Sequence, residues 1–279
     1  MKISVISVVR NDLNGLKKTT ASVLSQTATD FEYIILDGGS NDGTLDYIKS
    51  LVFKGVWKSE PDKGIYNAMN KAVGMAQGDY VLFMNAGDTF YDKDVLRKAE
   101  IIIGEADLYV GHTMEIGDTI IEGMAPKEMT AEYLINRSIY HQSTFIRRTL
   151  LIEHPYNETL KICSDWEFFF DRWLHGSSYQ QLDFFVSNYY LGGFSTIHKE
   201  LIDIERENVK SRLMPQRLRE YYLPKIKSGY LDENNNPRAF RHKRKLIAKI
   251  NTAMELPPLQ RDLKIARNAV KMFFRDLFL

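Results

Sequence analysis

The sequence predicts an α/β fold, with a doubly wound, mostly parallel central sheet covered by helices on both faces and a C-terminal helical extension. Three observations predict it. Apolar, β-branched runs alternate with helix-period stretches from Ile3 to Met84. Polar turns rich in Gly, Asp and Asn follow those runs, where a parallel sheet presents its ligand edge. The chain has 279 residues, 44% of them apolar, which suits one large domain with an appendage better than two equal domains.

Ile3 to Val9 is a continuous β-branched run, as in a strand buried on both faces, and Leu13 to Leu24 has the period of a helix. Phe31 to Leu36 repeats the strand signal and ends in the turn Asp37-Gly-Gly-Ser-Asn-Asp-Gly-Thr44, before a helical stretch through Leu51. Val56 to Lys58 is a short strand, Ile65 to Ala76 a helix, and Tyr80 to Met84 a strand that ends at Asn85-Ala-Gly-Asp88. The second half is less regular. Asp107 to Gly111 reads as a strand, Thr113 to Glu122 as a hairpin, Asp165 to Leu174 as an aromatic-rich helix, and 199 to 227 as a polar helix. Gly229 to Pro237 reads as a loop, and 238 to 279 as a basic helical tail. The expected organisation is a catalytic-type domain over 1–197 and a helical extension over 198–279.

The net charge of +1 conceals a division. From Arg238 onward there are 11 Lys+Arg and 3 Asp+Glu, a balance of +8, while residues 1–237 carry −7. One cysteine, Cys163, excludes a disulfide-stapled module, and it reads as a small buried hydrophobe. No stretch has the length and apolarity of a signal peptide or spanning helix, so a cytoplasmic location is expected.

Several loop residues are candidates for chemistry. Asp37 closes a strand at the ligand edge and precedes two glycines, which favours ligand contact, whereas Asp42 reads as a helix cap. Asp62 and Lys63 sit just before a helix whose amino end attracts anions, and an exposed loop lysine is the equal alternative. Asp88, at a strand tip, could hold a hard cation against a diphosphate. Asp165 and Glu167 lie among aromatic residues that would suit a general base, although pattern alone favours a cap at Asp165 and an ordinary first-turn acid at Glu167. His141 and His198 have no spaced metal partner and read as structural first, site residues second.

In order along the chain, these segments resemble the family-2 inverting glycosyltransferases of the GT-A fold, especially bacterial members that build surface polysaccharides. The resemblance covers about residues 1–197. It is carried by Val9-Arg10-Asn11, the Asp37 to Thr44 turn, Glu60-Pro-Asp-Lys-Gly-Ile-Tyr66, Gly78-Asp79-Tyr80 leading to Asn85-Ala-Gly-Asp88, and Ser164-Asp165-Trp166. It implies that Val9, Arg10, Asn11, Asp37, Asp62, Lys63, Asn85 and Ala86 line the nucleotide-sugar, with Asp37 on the base. It implies that Asp165 is the catalytic base, overturning the cap reading. Asn85 and Gly87 stand where the family often has acids, which leaves Asp88 as the residue for a divalent cation, Mn or Mg, with His198 as a weak further ligand. The implied reaction is transfer, with inversion, from a nucleotide-diphosphate sugar, a UDP-sugar above others, to a hydroxyl of a glycan or lipid-linked acceptor.

In the last helix Leu263, Ala266, Val270, Phe273, Phe274 and Leu277 fall on one face, with Lys264, Arg267, Lys271 and Arg275 on the other. Packing on the domain and peripheral attachment to an anionic membrane at the inner face of the cell membrane are equal readings. A nucleic-acid binder is disfavoured, since no RNA-binding motif is present and residues 1–237 are acidic. A dinucleotide-dependent oxidoreductase is disfavoured too, because Gly38 to Gly43 lacks the glycine fingerprint spacing. A catalytically silent sugar-nucleotide binder stays open.

Overall fold

The structure is a computed structural model that describes residues 3–193 and 198–214. The first half alternates as the sequence reads: β1 (Ile3–Val9), α1 (Leu13–Leu24), β2 (Phe31–Asp37), α2 (Thr44–Ser50), β3 (Gly55–Ser59), α3 (Ile65–Met75) and β4 (Tyr80–Phe83). Then come β5 (Thr89–Phe90), α4 (Val95–Ile102), β6 (Leu108–Ile116), β7 (Ile120–Gly123) and α5 (Ala131–Asn136). A single 3-10 turn, His141–Ser143, leads into β8 (Thr144–Arg147), α6 (Arg148–Glu153), α7 (Ser164–Leu174), β9 (Tyr179–Tyr190) and α8 (Lys199–Leu213).

The strands form one sheet in the order β3-β2-β1-β4-β8-β6-β9-β5, with β7 paired to β6. The β3-β2-β1-β4 block is wholly parallel, as expected. Antiparallel pairing enters with β8, which joins β4 to β6, and recurs at β6/β7 and β5/β9. The long β6/β9 ladder is parallel and is interrupted by an irregularity around His112. Parallel pairing dominates the sheet because its ladders are long, while β4/β8 and β5/β9 engage only two residues each way.

Helices cover both faces. On one, Ile6 and Val8 of β1 pack with Met69 and Val73 of α3, Leu134 of α5, Leu151 of α6 and Trp166 and Phe169 of α7. On the other, Val5 and Val9 pack with Leu16 and Val23 of α1, Ile48 of α2 and Leu96 of α4. That alternation along β1 is the period-2 signature of a strand sandwiched between layers. The hairpin expected over Thr113 to Glu122 is present as the end of β6 and β7, with Ile116 opposite Ile120. The polar helix expected from 199 is present as α8; its expected continuation to 227, the loop at 229–237 and the basic tail at 238–279 lie outside the described residues. Among the described residues no helix is long and apolar enough to cross a membrane.

Candidate functional site

Parallel register lines up the tips of β1, β2 and β3, so Val9 pairs with Asp37 and Asp37 with Ser59. Gly38 N donates to Val9 O at 2.8 Å and Glu60 N to Asp37 O at 2.9 Å, so the chain leaves each strand still attached to its neighbour. Two of the loops are then bonded together. Asn11, in the left-handed region at φ 52°, receives Asn41 N on Oδ1 at 2.9 Å, and its own N–H donates to Ser40 Oγ at 2.8 Å. Asp37 is fully buried, and its carboxylate accepts from Ser40 N at 3.2 Å, from Ser40 Oγ and from Ser59 Oγ at 2.6 Å. In the described structure it organises the Gly38–Thr44 loop.

Asp42 is not the cap of α2, which is Gly43; from one residue earlier it accepts Thr44 N at 3.1 Å, and it also takes the first N–H of α1 from Leu13 at 3.0 Å. Asp62 is nearly buried, accepts from Gly64 N at 2.9 Å and pairs with Arg10 Nη1 at 3.7 Å. It lies so close to Gly38 that a Cβ there would stand 1.9 Å from Asp62 Oδ2. Arg10, Gly38 and Asp62 thus meet, and Lys63 beside them is exposed.

At the tip of β4, Ala86 N donates to Val8 O at 3.2 Å, prolonging the β1 pairing, and Thr19 Oγ1 of α1 lies 3.1 Å from Asn85 O and 2.7 Å from Asp88 O. Gly87 occupies φ 103°, which its lack of Cβ permits. Asp88 is 7% exposed and accepts Gln142 Nε2 at 3.0 Å. Burial pushes its carboxyl up to about 6, against the opposing pull of Gln142, His141, the Tyr190 backbone and Lys18. A carboxylate kept from water without a full counter-charge gains by meeting a cation. Among the described residues no three His, Cys, Asp or Glu converge as a metal cage, and His198 is the exposed N-cap residue of α8. Asp88 therefore fits the mode in which one carboxylate shares a hard cation with substrate phosphates and water.

Asp165 is the second residue of α7 and not its cap. Oδ1 accepts Trp166 N at 2.8 Å and lies 3.1 Å from the Tyr66 hydroxyl; Oδ2 is 2.8 Å from His141 Nδ1. His141 Nε2 in turn lies 3.3 Å from Asn85 Nδ2. The Tyr66 hydroxyl stays protonated far above the usual phenol range, because it is buried and faces the Asp165 charge. The chain leading into α7, whose N-cap Cys163 makes no side-chain cap bond, is held from a distance. Glu205 of α8, itself buried, accepts Lys161 N at 2.7 Å, Ile162 N at 3.0 Å and Cys163 N at 2.9 Å. Glu167 is no ordinary surface acid either, being buried, bonded to Asn157 Nδ2 at 3.0 Å and paired with Arg212 of α8. Cys163 is buried with its thiol pushed up to about 12 by desolvation, in keeping with an inert core residue.

Sequence reasoning left out Tyr66, Gln142 and Glu205 and ranked His141 as structural. Each gains its place from a partner more than twenty residues away, and no local spacing marks it.

Residues 4–169 match the family profile described as "Glycosyl transferase family 2". The chain belongs to that family. A relative from Mycobacterium tuberculosis, named "PGL/p-HBAD biosynthesis glycosyltransferase", is 35% identical over 173 residues, 59% of this chain and 67% of the relative. An "Uncharacterized glycosyltransferase" of the same species is 32% identical over 174 residues, 60% of this chain and 66% of the relative. Among solved structures, Staphylococcus aureus TarS 1-349 in complex with UDP-GlcNAc superposes with a TM-score of 0.61 at 16% identity, covering 99% of this chain and 92% of that one. The mannosyltransferase PcManGT from Pyrobaculum calidifontis, in complex with GDP-Man and Mn2+, gives 0.58 at 14%, covering 97% and 80%. The structural likenesses establish the GT-A fold, and the profile match establishes a family-2 glycosyltransferase.

Proposed function

We propose that this family-2 enzyme moves a sugar from a UDP-sugar to a hydroxyl of a glycan or lipid-linked acceptor, with inversion, in the synthesis of a surface glycan or glycolipid. The observation that carries this reading is the placement of Asp165, a carboxylate 16% exposed, between Tyr66 and His141, with His141 reaching to Asn85 at the tip of β4. The names of the compared proteins support the donor and product classes: one is bound to UDP-GlcNAc, another to GDP-Man, and one relative is named for PGL/p-HBAD biosynthesis.

In this reading the tips of β1 to β3 receive the nucleotide. Val9, Asn11 and the loop organised by Asp37 form its floor, Asp62 and Lys63 lie along it with Arg10, and Asn85 and Ala86 approach the sugar. Asp165 takes the proton of the acceptor hydroxyl. The acceptor oxygen forms its bond to the anomeric carbon as the opposite carbon–oxygen bond breaks, and the electron pair leaves with the diphosphate. Asp88 would hold the divalent cation, which when bound neutralises charge on that diphosphate. Arg10 and Lys63 act on the same charge from the loops.

Incubation with several UDP- and GDP-sugars, with and without manganese, tests the activity by nucleotide release, and the anomeric configuration of the product tests inversion. Asp165→Asn should lower kcat about 10²- to 10⁴-fold while donor affinity measured by calorimetry holds. Near-normal turnover in that variant would sink the assignment. Peripheral attachment through residues 238–279 belongs to the same proposal on sequence grounds. It requires co-sedimentation with anionic but not neutral vesicles, lost when those residues are deleted.

A further inference from the structure

The Asn85 side chain faces His141. The directions of the hydrogen bonds along this row are fixed by one group that can only donate. Val8 N–H, in β1, lies 3.4 Å from Asn85 Oδ1. A backbone N–H has no lone pair to offer, so the amide oxygen must face it and the amide nitrogen must face the ring, 3.3 Å from His141 Nε2. An amide nitrogen also only donates. His141 Nε2 is therefore the bare, accepting nitrogen, and the ring proton resides on Nδ1, 2.8 Å from Asp165 Oδ2. The ring is kept in that plane by Phe83, which meets it edge-on with centroids 6.3 Å apart.

We infer that Asn85 sets His141 as the neutral Nδ1–H tautomer, making His141 a positioning residue that holds Asp165 by a single donated hydrogen bond. This rests on the reading of Asp165 as the base. The consequence is a carboxylate oriented by three groups, the Trp166 amide, the Tyr66 hydroxyl and the His141 ring, none of which carries a full positive charge. An acid at position 85 would reverse this. Its oxygens would accept from both Val8 N–H and His141 Nε2–H, the ring would hold two protons, and Asp165 would sit in an ion pair that opposes its taking a third partner's proton. The amide at 85 and the imidazole at 141 are thus one arrangement. A further charged side chain coupled to this ring is Asp88, which Gln142 holds at one oxygen.

The test has a spectroscopic and a kinetic arm. In the full-length protein with selectively labelled histidine, the His141 ring should show a pyrrole-type Nδ1 and a pyridine-type Nε2. In Asn85→Asp both nitrogens should become pyrrole-type. The opposite tautomer in the wild type, or no change in Asn85→Asp, overturns the inference without touching Asp165. Kinetically, His141→Phe should lower kcat about 10- to 100-fold at unchanged donor KM, the share of one hydrogen bond to a charged group. His141→Asn, whose amide nitrogen can take the place of Nδ1, should recover most of that loss. Equal kcat in the Phe and Asn variants, or a loss expressed in donor KM, would refute the role. If Asp165→Asn is inactive while His141→Phe and Asn85→Asp turn over normally, this inference fails and the base stands. If Asp165→Asn is active, it is the base that fails.

Discussion

The donor-side loops and the segment carrying Asp165 are held in place by different means. After β1, β2 and β3 the chain is fixed by strand register and by contacts between the loops that leave neighbouring strands, such as the Asn11 to Asn41 bond and the close approach of Gly38 to Asp62. Residues 161–167 have no strand behind them. They are held by Glu205, Arg206 and Arg212 of α8, by Tyr66 of α3 and by the turn at His141, all distant in sequence. A scaffold of paired strand ends on one side and of helices packed around a strandless segment on the other allows the two to be damaged separately. Faults in the donor loops should appear in donor binding, and faults around α7 in turnover.

Glu205→Ala is the largest way to break that division. It leaves three backbone N–H groups at the head of α7 without their acceptor, and should cost roughly 3–5 kcal/mol of stability, read as a fall in the denaturation midpoint. Glu205→Gln keeps one oxygen acceptor and the side-chain volume, so it should fold. In that variant kcat should fall while donor affinity stays, and a rise in donor KM alone would show that α8 serves the fold generally rather than the base.

The same division decides how much could be read from the sequence. In a parallel sheet the residue that ends a strand is already at the ligand edge, so Asp37 and Asp88 were singled out from strand patterns alone, whereas Val9, Asn85 and Ala86 entered through the resemblance. Asp165 was ranked as a base only through resemblance, because its surroundings suggested a cap, and Glu205, which holds the chain ahead of α7, lies forty residues on and bonds to backbone groups that leave no sequence trace. β9 carries Gln180, Gln181, Asp183, Ser187 and Asn188 among its aromatics, which blurs the alternation expected of a strand. β8 and α6 are only four and six residues long, too short for periodicity to separate them from loop.

Asp88 provides the next largest effect, and its sign is unusual for an acid. Its folded-state value of about 6 lies above the ordinary 3.8, so its contribution to stability is fully present below pH 4 and is lost as pH rises through 6. Charging it in its buried place costs roughly 3 kcal/mol at pH 8. In EDTA, Asp88→Asn should therefore raise the melting temperature at pH 8 and lose that advantage toward pH 4, even as transfer activity falls. Added manganese should stabilise the wild type at pH 7 and leave the variant unmoved. A variant less stable than wild type at pH 8 would mean that the carboxylate is already compensated.

Gly38→Ala attacks the donor side. The new methyl would meet Asp62 Oδ2 at 1.9 Å and Arg10 Cβ at 3.3 Å, and the short Asp62 side chain, tied to Gly64 N, has little room to turn. A cost of about 1–3 kcal/mol is expected from overpacking. Donor KM should rise at nearly constant kcat, the mirror image of Glu205→Gln.

Asp42→Ala makes the smallest and most local change. Asp42 is exposed, yet its two oxygens serve two helices, accepting Thr44 N and Oγ1 for α2 and Leu13 N for α1, and these bonds hold its carboxyl below the usual range. A depressed value gives stability that is present above the ordinary carboxylate range and lost as pH falls through the folded value. The variant's deficit in melting temperature should accordingly be constant from neutral pH down to the carboxylate range and close as the wild type is protonated. Because the two helices start from the loops that carry Arg10 and the Gly38 turn, the same loss should slightly raise donor KM. A deficit that persists unchanged at low pH would assign Asp42 to packing instead of charge.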